Sequence, residues 1–73
     1  MKKHYMICVE NRGYEASLEI MKVYEVLSDR EADKHRQVRV IDESGEDYLY
    51  PEKFFAPLRL PAETKEKLEL ITA

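Results

Sequence analysis

A turn that calls for glycine, followed six residues later by a proline, constrains this chain more than any other feature. Val38, Arg39, Val40 and Ile41 form a run rich in β-branched residues, the composition of a strand. Glu43, Ser44, Gly45 and Glu46 supply turn chemistry, with Gly45 where a positive φ is needed. Asp47, Tyr48, Leu49 and Tyr50 then read as the returning strand. Pro51 has no N–H to give a ladder, so the strand ends there. Residues 38–42 and 47–50 are therefore predicted to form a tight hairpin. A proline-started turn follows and ends in the aromatics Phe54 and Phe55.

The rest of the chain is also made of short segments. Residues 5–9 are apolar strand formers, stopped by Asn11, Arg12 and Gly13. Residues 14–20 carry no clean period and read as a long irregular loop or a bent strand. Residues 21–27 read as a strand, with Tyr24 and Val26 on one face and Val23 and Leu27 on the other. Ser28 and Glu31 have the spacing of a capping box, which predicts one or two helical turns over 29–35. Residues 55–60 are predicted as a last edge strand, because Pro57 lies within them. Pro61 then opens a helix near 61–71, with Thr64, Leu68 and Ile71 in one stripe. Such a helix is marginal alone and is expected to dock over one end of the domain or on a partner.

At 73 residues the chain is long enough for one domain and one modest core, read as residues 1–73. Apolar residues make up 44% and supply that core. Charged residues, at 37%, are interspersed with them, which excludes a membrane span and argues against a disordered tail. The formal net charge is −3 at pH 7, so a nucleic-acid partner, which requires clustered cations, is disfavoured. Residues 5–9 are too short for a signal-peptide core and are followed at once by Glu10 and Arg12. The lone Cys8 has no partner for an internal disulfide. The expected location is cytoplasmic.

Five short strands joined by turns predict a mainly β fold closed into a small barrel, which removes aggregation-prone edges. The order of parts resembles an SH3-like barrel. In that resemblance residues 14–20 are the long first loop, residues 28–36 replace the second, and Ser44-Gly45 is the distal hairpin. Tyr50, Pro51, Glu52, Lys53, Phe54 and Phe55 resemble the 3-10 turn before the last strand of SH3 domains. The whole chain, and residues 41–51 most of all, also looks like a group of small uncharacterised bacterial proteins with this pattern. That second resemblance implies a fold and a bacterial source, and no function.

The SH3 resemblance implies a partner-binding surface. Pro51 and Phe54 match the proline and aromatic that line the peptide groove of SH3 domains. Leu49 is expected on the same surface, Tyr14 is expected to add an aromatic from the first loop, and Tyr48 another. Tyr50 and Phe55 are expected to point inward. The chain departs from the SH3 pattern in having no Trp, the usual central wall of that groove, which argues against proline-rich peptides. The simpler reading of Pro51 and Phe54 is that they only close the barrel.

Other chemistries find little in the sequence. Asp42, Glu43, Glu46 and Asp47 bracket the turn, but their spacing lacks the pattern of a calcium loop, and a solvated acidic turn is expected. The same acidity suits steering of a basic partner. His4 and Cys8 on one strand lie about 13 Å apart, too far for one zinc ion. No metal or cofactor is expected. No serine sits in a nucleophile elbow, and Ser28 and Ser44 read as a cap and a turn residue. Cys8 reads as a small buried hydrophobe. The resulting expectation is a non-enzymatic module that binds another protein. One alternative is a nucleic-acid or ribosome-associated barrel using Lys2, Lys3, Arg12, Arg36 and Arg39. Another is a structural or regulatory subunit docking through the helix near 61–71.

Overall fold

The computed structural model describes residues 3–59, 61–64, 66 and 67. Five strands form one antiparallel sheet in the order β4-β3-β2-β1-β5. They are β1 (Lys3–Cys8), β2 (Val23–Leu27), β3 (Gln37–Ile41), β4 (Asp47–Pro51) and β5 (Phe55–Pro57). A short helix α1 (Arg30–Lys34) joins β2 to β3, and a 3-10 turn (Glu52–Phe54) joins β4 to β5. The fold is mainly β, as expected. The ladder leaves β4 and β5 as the two ends of the sheet.

Strand alternation builds the core. Met6 and Cys8 on β1, Tyr24 and Val26 on β2, and Val38 and Val40 on β3 are buried at every second position. The register sets them opposite one another: Met6 faces Tyr24, Val26 faces Val40, Val38 faces Tyr50, and Cys8 faces Phe55. Directly opposed apolar side chains are the unit of sheet stabilisation. Leu18, Phe54 and Phe55 complete this cluster. Tyr50 and Phe55 thus point inward, as expected, and Cys8 is the fully buried small hydrophobe the sequence implied.

Both ends of the sheet carry a proline, Pro51 on β4 and Pro57 on β5. A missing N–H is tolerated there and blunts the edge against further pairing. β5 stops at Pro57 and covers only half of the expected 55–60.

Three local expectations need correction. β2 begins at Val23 and not at Met21, because Met21 has a φ of 68° and breaks the extended chain. Pairing nevertheless continues, with the Cys8 amide donating to the Lys22 carbonyl and the Met21 amide donating to the Cys8 carbonyl. The cap of α1 is Asp29 and not Ser28: its carboxylate accepts from the Glu31 and Ala32 amides. A carboxylate also interacts better than a hydroxyl with the positive end of the helix, and this one is held further by Arg39 at 2.8 Å. Arg39 and the two amides together depress the Asp29 pKa. The helix ends at Lys34, and Arg36, at a φ of 55°, turns the chain into β3.

Beyond Pro61, residues Ala62, Glu63, Thr64, Glu66 and Lys67 are helical and exposed. Leu68 and Ile71, two members of the expected stripe, lie outside the described residues.

Candidate functional site

The long loop between β1 and β2 is irregular but pinned. Leu18 is buried to 1% exposure, and such a side chain contributes roughly 2 kcal/mol by leaving water. The amides of Ser17 and Leu18 both donate to the Tyr14 carbonyl, and Asn11 Nδ2 donates to the Leu18 carbonyl. The Glu43 amide donates to the Ser17 carbonyl, which ties this loop to the β3–β4 turn. Lys22 adds an ion pair to Glu43 and lies 5.4 Å over the Tyr24 ring. These contacts bring two segments distant in sequence onto one surface.

Tyr14 is the centre of that surface. It is 42% exposed, yet its ring meets Tyr50 edge-on at 5.1 Å and Phe54 at 5.9 Å. Such T-shaped contacts add about 0.5–1.5 kcal/mol each and fix the ring in place. On one side of Tyr14 lies an open depression of about 350 Å³, bordered by Tyr14, Tyr48, Leu49 and Tyr50. Pro51 and Phe54 line a second hollow of about 420 Å³ with Glu10, Arg12 and Lys53. The five residues expected on the surface therefore divide between two hollows, Tyr14, Tyr48 and Leu49 at the first and Pro51 and Phe54 at the second.

The residues are not equally exposed. Tyr48 and Leu49 are open to solvent, and Pro51 is half-buried. Phe54 is only 7% exposed, so its expected role as an exposed contact aromatic is corrected. Its ring packs in the core, and its carbonyl accepts from the Val9 and Glu10 amides. The short 3-10 turn rotates the side chain inward, which residue type alone does not reveal.

Beneath the first depression lies the feature that the sequence reading missed. Asp42 was expected to be solvated with the rest of the acidic turn, but it is 7% exposed. One carboxylate oxygen accepts the Tyr50 hydroxyl at 2.6 Å, and the other accepts the Ser44 amide at 2.8 Å and the Ser44 hydroxyl. Burial pushes the Asp42 pKa up, but the bonds from Ser44 and Tyr50 outweigh it and leave the pKa below the usual value. The same desolvation, reinforced by the Asp42 bond, pushes the Tyr50 pKa up to about 12. A signal was available: Asp42 lies two residues beyond Val40, in phase with the buried face, and two before Ser44, where aspartate folds back on the backbone.

The other acidic residues of the turn diverge. Glu43 pairs with Lys22, Asp47 with Arg39 at 2.9 Å, and Glu46 accepts the Tyr48 hydroxyl at 2.9 Å. No group of three or more metal-ligating side chains occurs among the described residues. Of the cations named for nucleic acid, Lys3 is held by Glu25 and Arg39 by Asp29 and Asp47. Arg12 and Arg36 border different hollows, and Lys2 lies outside the described residues. No helix among the described residues is long and apolar enough to cross a membrane. No protein-family model, curated protein or solved structure matches the chain.

Proposed function

We propose that this chain is an SH3-like protein-interaction module of the cytoplasm, without a catalytic step of its own. The fold part of this reading is supported by the strand order β4-β3-β2-β1-β5 and by the 3-10 turn between the last two strands. In this reading the sheet curls into a small barrel filled by Met6, Val26, Val40, Tyr50 and Phe55. Its partner surface is the face on which the first loop meets β4.

The observation that carries the functional part is the exposure of Tyr14, Tyr48 and Leu49 around one depression. Rigidly held tyrosines are common interface anchors, because they offer a large contact area at little cost in entropy. Phe54 supports that surface from beneath and is not itself the contact.

The test is affinity capture from extract of the source cells, with the intact chain, Tyr48→Ala and Lys34→Ala as baits. Each is run with and without nuclease. A partner protein retained by the intact chain and Lys34→Ala but lost by Tyr48→Ala is the expected result. Equal capture by Tyr48→Ala overturns the assigned surface. Partners that vanish with nuclease transfer the chain to the nucleic-acid class.

A further inference from the structure

We infer that the surface around the 3-10 turn, where Arg12, Lys53 and Arg36 converge, docks an acidic segment of a partner protein, with one carboxylate in each of two adjoining hollows. This rests on the reading of the chain as an interaction module and adds a second surface to it, separate from the one around Tyr14 and Tyr48.

Backbone hydrogen bonds bring the three cations together from distant parts of the chain. The Phe54 carbonyl accepts from the Val9 and Glu10 amides, which sets the start of the first loop, and Arg12 with it, against the last residue of the turn. The Glu52 amide donates to the Arg36 carbonyl at 2.9 Å, which sets the end of the α1 connection against its first residue. Two hollows of about 420 and 550 Å³ result. Pro51 and Lys53 border both, while Arg12 borders one and Arg36 the other. Each hollow therefore has its own arginine and shares the lysine between them.

Charge selects the occupant. The chain has 15 acidic and 12 basic residues, so cations are the scarcer charge. Lys3, Lys22, Lys34 and Arg39 are each taken by a carboxylate. Arg12, Arg36 and Lys53 are exposed and in no ion pair among the described residues, although Glu10 and Glu52 border the same hollows. Glu10 instead accepts the Asn11 and Arg12 amides through one carboxylate oxygen. Three adjacent cations left open in an acid-rich chain are the complement of carboxylates from outside. A guanidinium takes a carboxylate through two parallel N–H bonds, so each arginine suits one acidic side chain. Pro51, common to both hollows, suits an apolar residue between the two acids. Glu10 and Glu52 disfavour nucleic acid: its backbone is charged at every step and meets both carboxylates, whereas two separate acidic side chains seat on the arginines and clear them.

The test is an amide-shift NMR titration of the 73-residue chain with three probes. They are a capped heptapeptide in which two glutamates flank a central leucine, the same peptide with both glutamates replaced by glutamine, and a deoxythymidine decamer. The glutamate peptide is expected to shift residues 10–13, 35–37 and 51–55, with the glutamine peptide binding at least about fivefold more weakly. Arg12→Gln, Arg36→Gln and Lys53→Gln are each expected to weaken the glutamate peptide roughly two- to fivefold, and Lys34→Gln, at a position that lines neither hollow, to leave it unchanged. All four positions are exposed, so none of the changes threatens folding. Equal binding of the two peptides overturns the acidic occupant. Tighter binding by the decamer than by the glutamate peptide overturns the protein occupant in favour of nucleic acid. Shifts of these segments on concentrating the chain alone overturn the outside partner in favour of a second copy. Glutamate-peptide shifts confined to residues 14–18 and 42–50 overturn this surface and leave the interaction module standing. No shift with any probe overturns the inference alone, because the Tyr14 surface is read separately by the Tyr48→Ala capture.

Discussion

Removing one oxygen tests the buried pair beneath the candidate site. Tyr50→Phe keeps the ring, with its edge contacts to Tyr14 and Phe55, and deletes the hydroxyl that donates to Asp42 at 2.6 Å. A hydrogen bond to a charged group contributes about 1.5–3 kcal/mol, and here its loss leaves a buried carboxylate oxygen short of a donor. At pH 7 the variant is expected to be about 2 kcal/mol less stable. The alkaline limb adds a stricter requirement. The Tyr50 pKa is raised to about 12 in the folded protein, against about 10 in the unfolded chain. A raised tyrosine pKa means that the folded state holds the proton more tightly. Its contribution is complete below pH 10 and is lost as pH rises through 12. From pH 8 to pH 11 the wild type should lose about 1.4 kcal/mol through this group, and Tyr50→Phe should lose none of it. The gap between the two proteins should therefore shrink from about 2 to about 0.6 kcal/mol. Tyr24, whose pKa burial also raises, is present in both proteins and cancels in the difference. Urea unfolding followed by circular dichroism at pH 8 and pH 11 measures it. A gap under about 0.5 kcal/mol at pH 8 would refute the hydrogen-bond argument. A gap that stays constant with pH would refute the assignment of the high pKa to Tyr50.

Phe54→Ala removes a core ring and should cost about 3–5 kcal/mol, a large part of the stability of so small a domain, as a fall in the urea midpoint. Retention of the wild-type midpoint would return Phe54 to the surface. Gly45→Ala should cost about 1 kcal/mol purely through its φ of 84°, because an added Cβ there meets nothing within 4 Å. Crowding cannot be the cause, so Gly45→Asn should recover part of the loss in the same unfolding assay. Cys8 is fully buried, with its thiol pKa raised by desolvation, so a disulfide reagent should react with it only through opening of the fold. The reaction rate should climb steeply across the urea transition, and fast labelling in native buffer would contradict the packing described for β1.

Much of the architecture is local chemistry and was readable without coordinates. Gly45 and Pro51 delimit the hairpin because a left-handed turn and a missing N–H act within a few residues. Alternation assigned the faces of Tyr24 and Val26, and the resemblance to SH3 domains implied the inward poses of Tyr50 and Phe55. The errors lie where two residues competed for one local role. Ser28 and Asp29 are both good caps, and the choice fell to Asp29, which Arg39 holds from another strand. Met21 had strand propensity, but its positive φ puts the break there.

The candidate site belongs to a different scale. The resemblance to SH3 domains placed Tyr14, Tyr48 and Leu49 on the surface, and the spacing of strand and turn marked where the chain reverses. Sequence alone therefore determined the hairpin of residues 38–42 with 47–50, while the pairing of β1 with β2 and β5, and of β2 with β3, came from the structure. Only tertiary structure decided that Tyr14, from a loop with no periodic signal, lands between Tyr50 and Phe54. It also decided that Asp42 turns inward while its acidic neighbours take Lys22, Arg39 and Tyr48. The physical reason is that a hydrogen-bonded turn acts over a few residues, whereas burial of a carboxylate depends on everything packed above it.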